Sequence, residues 1–109
     1  MPVTYKVLAQ SAPSATTNTD IYTVGAGKQA VISTITIANR SGSSATYRIA
    51  VRTSGATLAN QHYVIYDSTV LPNDMVALTL GVSLGATDVV TVYASSANLS
   101  FNIFGTEIS

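Results

Sequence analysis

The sequence predicts an all-β protein: one antiparallel β-sandwich of about eight strands, of jelly-roll or immunoglobulin-like kind. Three observations predict it. Apolar and β-branched residues alternate with period two along most of the 109 residues, no stretch of about a dozen residues carries a helical stripe, and turn-forming clusters recur at short intervals. A single open sheet could not bury the apolar sets that this pattern creates, so two facing sheets are expected.

The elements follow in order. Residues 4–10 read as a first strand, and residues 11–19 (SAPSATTNT), small, polar and with one proline, as an extended arm or long loop. The expected organisation is one domain overall, with residues 1–19 as N-terminal strand and arm and residues 20–109 as the sandwich. Residues 21–24 form a short strand closed by the Gly25-Ala26-Gly27 turn. In the next strand Val31, Ser33, Ile35 and Ile37 fall on one side and Ile32, Thr34, Thr36 and Ala38 on the other. Residues 47–52 alternate more cleanly, with Tyr47, Ile49 and Val51 inward and Arg48, Ala50 and Arg52 outward. The turn cluster Asn39-Arg40-Ser41-Gly42-Ser43-Ser44 between them predicts an antiparallel hairpin. Strands over residues 62–67, 76–80, 89–94 and 99–104 complete the set. Turns at Ser54-Gly55-Ala56, Leu71-Pro72-Asn73-Asp74 and Ser95-Ser96-Ala97-Asn98 separate them.

Two strands carry large groups on both sides. Val64 and Tyr66 oppose Tyr63 and Ile65, and Phe104 opposes Leu99, Phe101 and Ile103. Either loops and the terminal arm cover the surplus, or a neighbouring subunit does.

Composition narrows the function. At 11.3 kDa the chain supports one core without staples, and it contains no cysteine, which removes disulfides and thiolate chemistry. Five basic and five acidic residues leave a net charge of zero, and Lys6, Lys28, Arg40, Arg48 and Arg52 are too scattered to neutralise nucleic acid or an anionic membrane. Polarity comes from 13 Ser and 15 Thr, which hydrate well but repel neighbouring copies little. Met1-Pro2-Val3-Thr4-Tyr5-Lys6 does not read as an export signal. Residues 75–86 are too interrupted to span a bilayer, so a soluble product made in a cytoplasm is expected.

No motif points to a reactive centre. Gly81-Val82-Ser83-Leu84-Gly85 fits the nucleophile-elbow pattern, but no helix follows and the sole histidine, His62, precedes the serine. Gly25-Ala26-Gly27-Lys28 resembles the tail of a phosphate-binding loop and lacks the first glycine, the Ser/Thr after lysine and the helix. His62 has no second histidine or cysteine to share a metal, and Asp20, Asp67, Asp74, Asp88 and Glu107 are dispersed. No catalytic residue, metal site or cofactor is therefore expected. Asn39-Arg40-Ser41 and Asn98-Leu99-Ser100 match the glycosylation pattern by chance if the chain is not exported. Six tyrosines raise a sugar-stacking platform, with Tyr5, Tyr22, Tyr63 and Tyr66 as candidates. Tyrosine suits a subunit contact equally well.

The segments IYTVGAGKQAVISTITIANRSGSSATYRIAV, HYVIYD and LPNDMVALTLGVSLGATDVVTVYASSANLSFNIFGTEI resemble a group of small bacteriophage virion proteins, including those of cyanobacterial and marine phages. The resemblance covers nearly the whole chain. It departs at Gly25, where members of that group often carry proline, which touches only turn stiffness. The resemblance implies a non-enzymatic virion structural protein, made in the bacterial cytoplasm: a capsid decoration or cement protein, or else a tail, baseplate or fibre adaptor. It implies self-association, with a trimer as one form, and contact with other virion proteins such as the major capsid protein. A carbohydrate-binding module is the alternative of another class. The expected contact residues are Tyr63, Tyr66 and Phe104, with Tyr5, Val7 and Leu8 in the arm.

Overall fold

Alternating β-branched residues carry the chain into eight strands among the residues that the computed structural model describes, 3–109: β1 (Val3–Ser11), β2 (Thr19–Thr23), β3 (Gln29–Asn39), β4 (Ala45–Arg52), β5 (Tyr63–Val70), β6 (Met75–Leu84), β7 (Val89–Ala94) and β8 (Leu99–Ile108). Met1 and Pro2, part of the predicted arm, lie outside the described residues. Two short 3₁₀ turns, Thr53–Gly55 and Asn60–His62, bridge β4 to β5. The strands form two four-stranded sheets ordered β1-β8-β3-β6 and β2-β7-β4-β5, and every pairing is antiparallel.

That order resolves the choice of architecture. First pairs with last, second with seventh, third with sixth and fourth with fifth, and successive pairs alternate between sheets. A long two-stranded ribbon wrapped into a sandwich gives this arrangement, the jelly roll, and an immunoglobulin-like order does not. It also corrects the predicted hairpin. β3 and β4 do not pair, because the turn at residues 40–44 carries the chain from one sheet to the other, and β3 takes β8 and β6 as neighbours. Residues 3–11 are an edge strand registered on β8. Residues 12–18 cross between sheets, with Pro13 buried and the Thr16 N–H donating to the Ala94 carbonyl at 2.8 Å.

The core lies between the sheets. Ile35 and Ile37 of β3 and Leu99, Phe101 and Ile103 of β8 face Tyr47 and Ile49 of β4 and Val90 and Val92 of β7, all essentially removed from solvent. The Phe101 ring meets Tyr47 edge-on at 6.3 Å. Burying a side chain of that size contributes roughly 2–3 kcal/mol. Ala50, predicted outward, is buried as well.

Bulges break the simple alternation. An extra residue at Ser33 means that Ala30 and Ile32 point inward before it, and Ile35 and Ile37 after it, so Ser33 and Ile35 do not share a side. The opposing β6 bulge is made by Leu80 and Gly81, the latter at φ +63, which glycine adopts without strain. Further shifts in β5, with Asp67 at φ +53, place Tyr63 and Tyr66 side by side, whereas strict alternation puts them on opposite faces.

Candidate functional site

Register determines what each sheet shows to solvent. Across the outward side of the β1-β8-β3-β6 sheet, Tyr5, Thr106, Val31 and Ser83 form one row, Val7, Phe104, Thr34 and Thr79 the next, and Gln10, Asn102, Thr36 and Ala77 another. Not one residue in these rows is charged. Tyr5 is 82% exposed and Val7 47%, Phe104 is half-buried, and Val3 and Met75 add exposed apolar surface at the margins. Thus the expected contact residues Tyr5, Val7 and Phe104 come together on one face. Leu8 does not join them: it follows the outward Val7 and packs on the core, and the bulge between Val7 and Ala9 brings Ala9 to the same side.

The other sheet shows a different chemistry. Arg48, paired with Tyr93 across β4 and β7, sets its guanidinium 4.2 Å from the ring centres of both Tyr66 and Tyr93. The Arg48 Nε donates to Asp67 Oδ1 at 2.6 Å, and this carboxylate raises the arginine's pKa further. Tyr63 meets Tyr66 edge-on at 4.9 Å, so the two expected contact residues of β5 belong to a single stack, and Tyr66 stays 56% exposed. Beside it the Arg52 guanidinium bonds Asp20 at 2.8 Å and Thr91 at 3.0 Å, and Thr91 donates to Asp20 at 2.7 Å. Sequence reasoning missed Arg48 and Tyr93 as members of the stack. Both stand at outward positions of alternating strands, but only cross-strand pairing shows that they meet.

The remaining charges occupy ends and turns. Glu107 lies between Lys6 and Lys28 at 3.2 and 3.7 Å and accepts the Tyr22 hydroxyl at 3.0 Å. The tyrosine and lysine bonds hold its carboxyl below the usual range. Burial, then Glu107, pushes Tyr22 up to about 12. Tyr22, a candidate for sugar stacking, is thereby committed to an internal bond. Asp88 accepts the Ser54 and Gly85 N–H groups, Asp74 accepts that of Met75, and Arg40 donates to the Ala97 carbonyl.

The weighed motifs resolve into structural parts. Gly81 to Leu84 lie within β6, so Ser83 stands on a strand and not on an elbow. The shallow cleft of about 310 Å³ that it lines, with Gln29, Val31 and Ile108, has no histidine or carboxylate in its wall. His62 Nδ1 accepts the Ala59 N–H at 3.0 Å. Among the described residues no three His, Asp or Glu gather as a metal site. Asn39 is only 3% exposed, its amide donating to the Ser43 and Val70 carbonyls and its oxygen accepting from Ser41, so no glycan fits there. Comparison with protein-family models, curated proteins and solved structures finds no match.

Proposed function

We propose that this chain is a non-enzymatic structural protein of a bacteriophage virion, a capsid decoration or cement protein that braces neighbouring capsomers. The observation that carries the reading is the uncharged outward face of the β1-β8-β3-β6 sheet, with Tyr5, Val7 and Phe104 on it. Such a face loses little on desolvation and gains from flat apolar contact, as subunit surfaces do. The sequence resemblance to phage virion proteins supports the same assignment. The jelly roll is compatible with it but also hosts lectins and cupins, so the fold alone does not decide. Mapping the chain in purified particles by cryo-microscopy tests the reading. Copies spread over the head support cement, and a ring of few copies on the tail supports the adaptor reading. Absence from the particle, or failure to rebind stripped capsids, overturns cement.

A second reading rests on the Tyr63-Tyr66-Arg48-Tyr93 stack, since an exposed tyrosine beside an Arg–Asp pair can stack on a sugar ring and hydrogen-bond its hydroxyls. Glycan-array binding that disappears in Tyr66→Ala selects it. An array without hits rejects it.

A further inference from the structure

The four sheet edges are not equally protected. Edge strands invite pairing with another chain, and proteins blunt them with charges, prolines, bulges or short length. β1 carries Lys6 and a bulge, β2 is five residues long and carries Asp20, and β5 carries Asp67 at a left-handed backbone position. β6 (MVALTLGVSL) has neither charge nor proline, and with ten residues it is the longest of the four. Only the bulge at Leu80 and Gly81 interrupts it. Before that bulge, Met75 to Thr79 pair with β3 in unbroken register.

Backbone geometry shows which groups are free. The Asn39 N–H donates to the Asp74 carbonyl at 2.9 Å, which makes that opposed pair a hydrogen-bonded one. Antiparallel ladders alternate, so Val76 and Leu78 point their amides and carbonyls at β3, whereas those of Ala77 and Thr79 point out of the open edge. The Met75 N–H is taken by Asp74 Oδ1 at 2.8 Å, and its carbonyl faces outward with the others. Outside the edge the side chains alternate too, with Met75, Ala77 and Thr79 outward and Val76 and Leu78 toward the core.

We infer that β6 is a self-pairing edge whose occupant is β6 of a second copy, antiparallel about a two-fold axis at Ala77. Ala77 is the middle of the unbroken run from Met75 to Thr79, so this register pairs the whole run. Each copy's Ala77 N–H donates to the other's Ala77 carbonyl, and Thr79 N–H donates to Met75 carbonyl. Val76 and Leu78 meet on the inner side. A two-fold contact sets the residue on the axis against its own copy and pairs each other residue with a different one of the partner, and β6 holds no charge to repel at either kind of position. A strongly basic or acidic partner, by contrast, finds nothing complementary on this edge or on the adjoining face. Four strands about 4.8 Å apart and some ten residues long give an outward face on the order of 600 Å², and pairing doubles it into one uncharged surface. The inference does not depend on where in a particle the chain sits.

The test uses the full chain in a concentration series, with sedimentation for mass and hydrogen exchange for the edge. The expected result is a dimer in which the Ala77 and Thr79 amides, exchanging freely when dilute, become protected on association. Ala77→Lys sets ammonium groups face to face at the axis and weakens association roughly tenfold or more, while Thr57→Lys in the exposed connection between β4 and β5 leaves it unchanged. Ala77→Pro, which removes an amide that β3 does not use, has the same effect as Ala77→Lys. A monomer throughout, a trimer without a dimer, or a dimer indifferent to Ala77→Lys overturns the inference. Each of these leaves the virion assignment standing.

Discussion

At the scale of single residues, stability rests on polar groups whose every bond is internal. Asn39 spends its amide hydrogens on Ser43 and Val70 and its oxygen on Ser41, joining the ends of β3 and β5 to the turn that changes sheets. Asn39→Asp keeps the shape but turns donors into a carboxylate facing two carbonyls. A loss of roughly 2–4 kcal/mol at neutral pH is expected, because a buried group left unpaired costs its full desolvation. The deficit should shrink on acidification, when the carboxyl can donate again; urea midpoints at neutral and acidic pH measure it. Tyr22 gives the opposite end of the pH scale. Its hydroxyl is pushed from 10 to about 12, so the folded state favours the neutral phenol. That contribution is complete below pH 10 and is lost as pH rises toward about 12. Tyr22→Phe should therefore unfold less steeply with alkali across this window, followed by circular dichroism. An unchanged alkaline slope contradicts the assignment.

Elements were legible where the signal is local and hidden where it is not. Period-two runs and turn residues locate all eight strands within a few positions, because alternation and turn chemistry depend on neighbours in sequence. Pairing does not. The cluster around Asn39 announces a turn, yet nothing local reveals that β3 will pair with β8 and β6 while β4 goes to the other sheet. Bulges are equally silent, and they shape the candidate site: the shifts near Tyr66 and Asp67 bring Tyr63 and Tyr66 together, and the one after Val7 sets Ala9 on the core beside Leu8. Phe104 was legible as a large residue on the opposite side of its strand, and Tyr5 and Val7 as contact candidates in the arm. Their union on one face needed the β1·β8 register. Gly105 records the same close pairing. It lies opposite Ile32 beside the Ser33 bulge, where a Cβ would run into the Val31 carbonyl oxygen. Gly105→Ala should cost about 3 kcal/mol or more, as backbone has to move, measurable as a lowered denaturation midpoint. A variant within a few tenths of wild type would mean that β8 shifts freely at this bulge.

For the whole molecule, the distribution of charge separates the two outward faces. Arg48, Arg52, Asp20 and Asp67 lie on the β2-β7-β4-β5 side, and Lys6, Lys28 and Glu107 pair at one end. The two arginine–aspartate pairs cancel, Lys6 and Lys28 share the single Glu107, and with Arg40, Asp74 and Asp88 the net charge is zero, leaving little field to steer an approaching partner from a distance. Association through the uncharged face must then draw on apolar contact and hydrogen bonds, which salt screens little, whereas surface ion pairs weaken once the screening length falls to about 3 Å near 1 M salt. Rebinding to stripped capsids should accordingly survive high salt almost unchanged and fail in Tyr5→Asp, which plants a desolvation cost on the contact face. Disruption of the Arg48–Asp67 pair, as in Asp67→Asn, should leave it intact. Quantifying bound copies per particle across a salt series decides the matter. Binding that collapses with salt and with Asp67→Asn, yet tolerates Tyr5→Asp, would move the contact to the tyrosine–arginine stack.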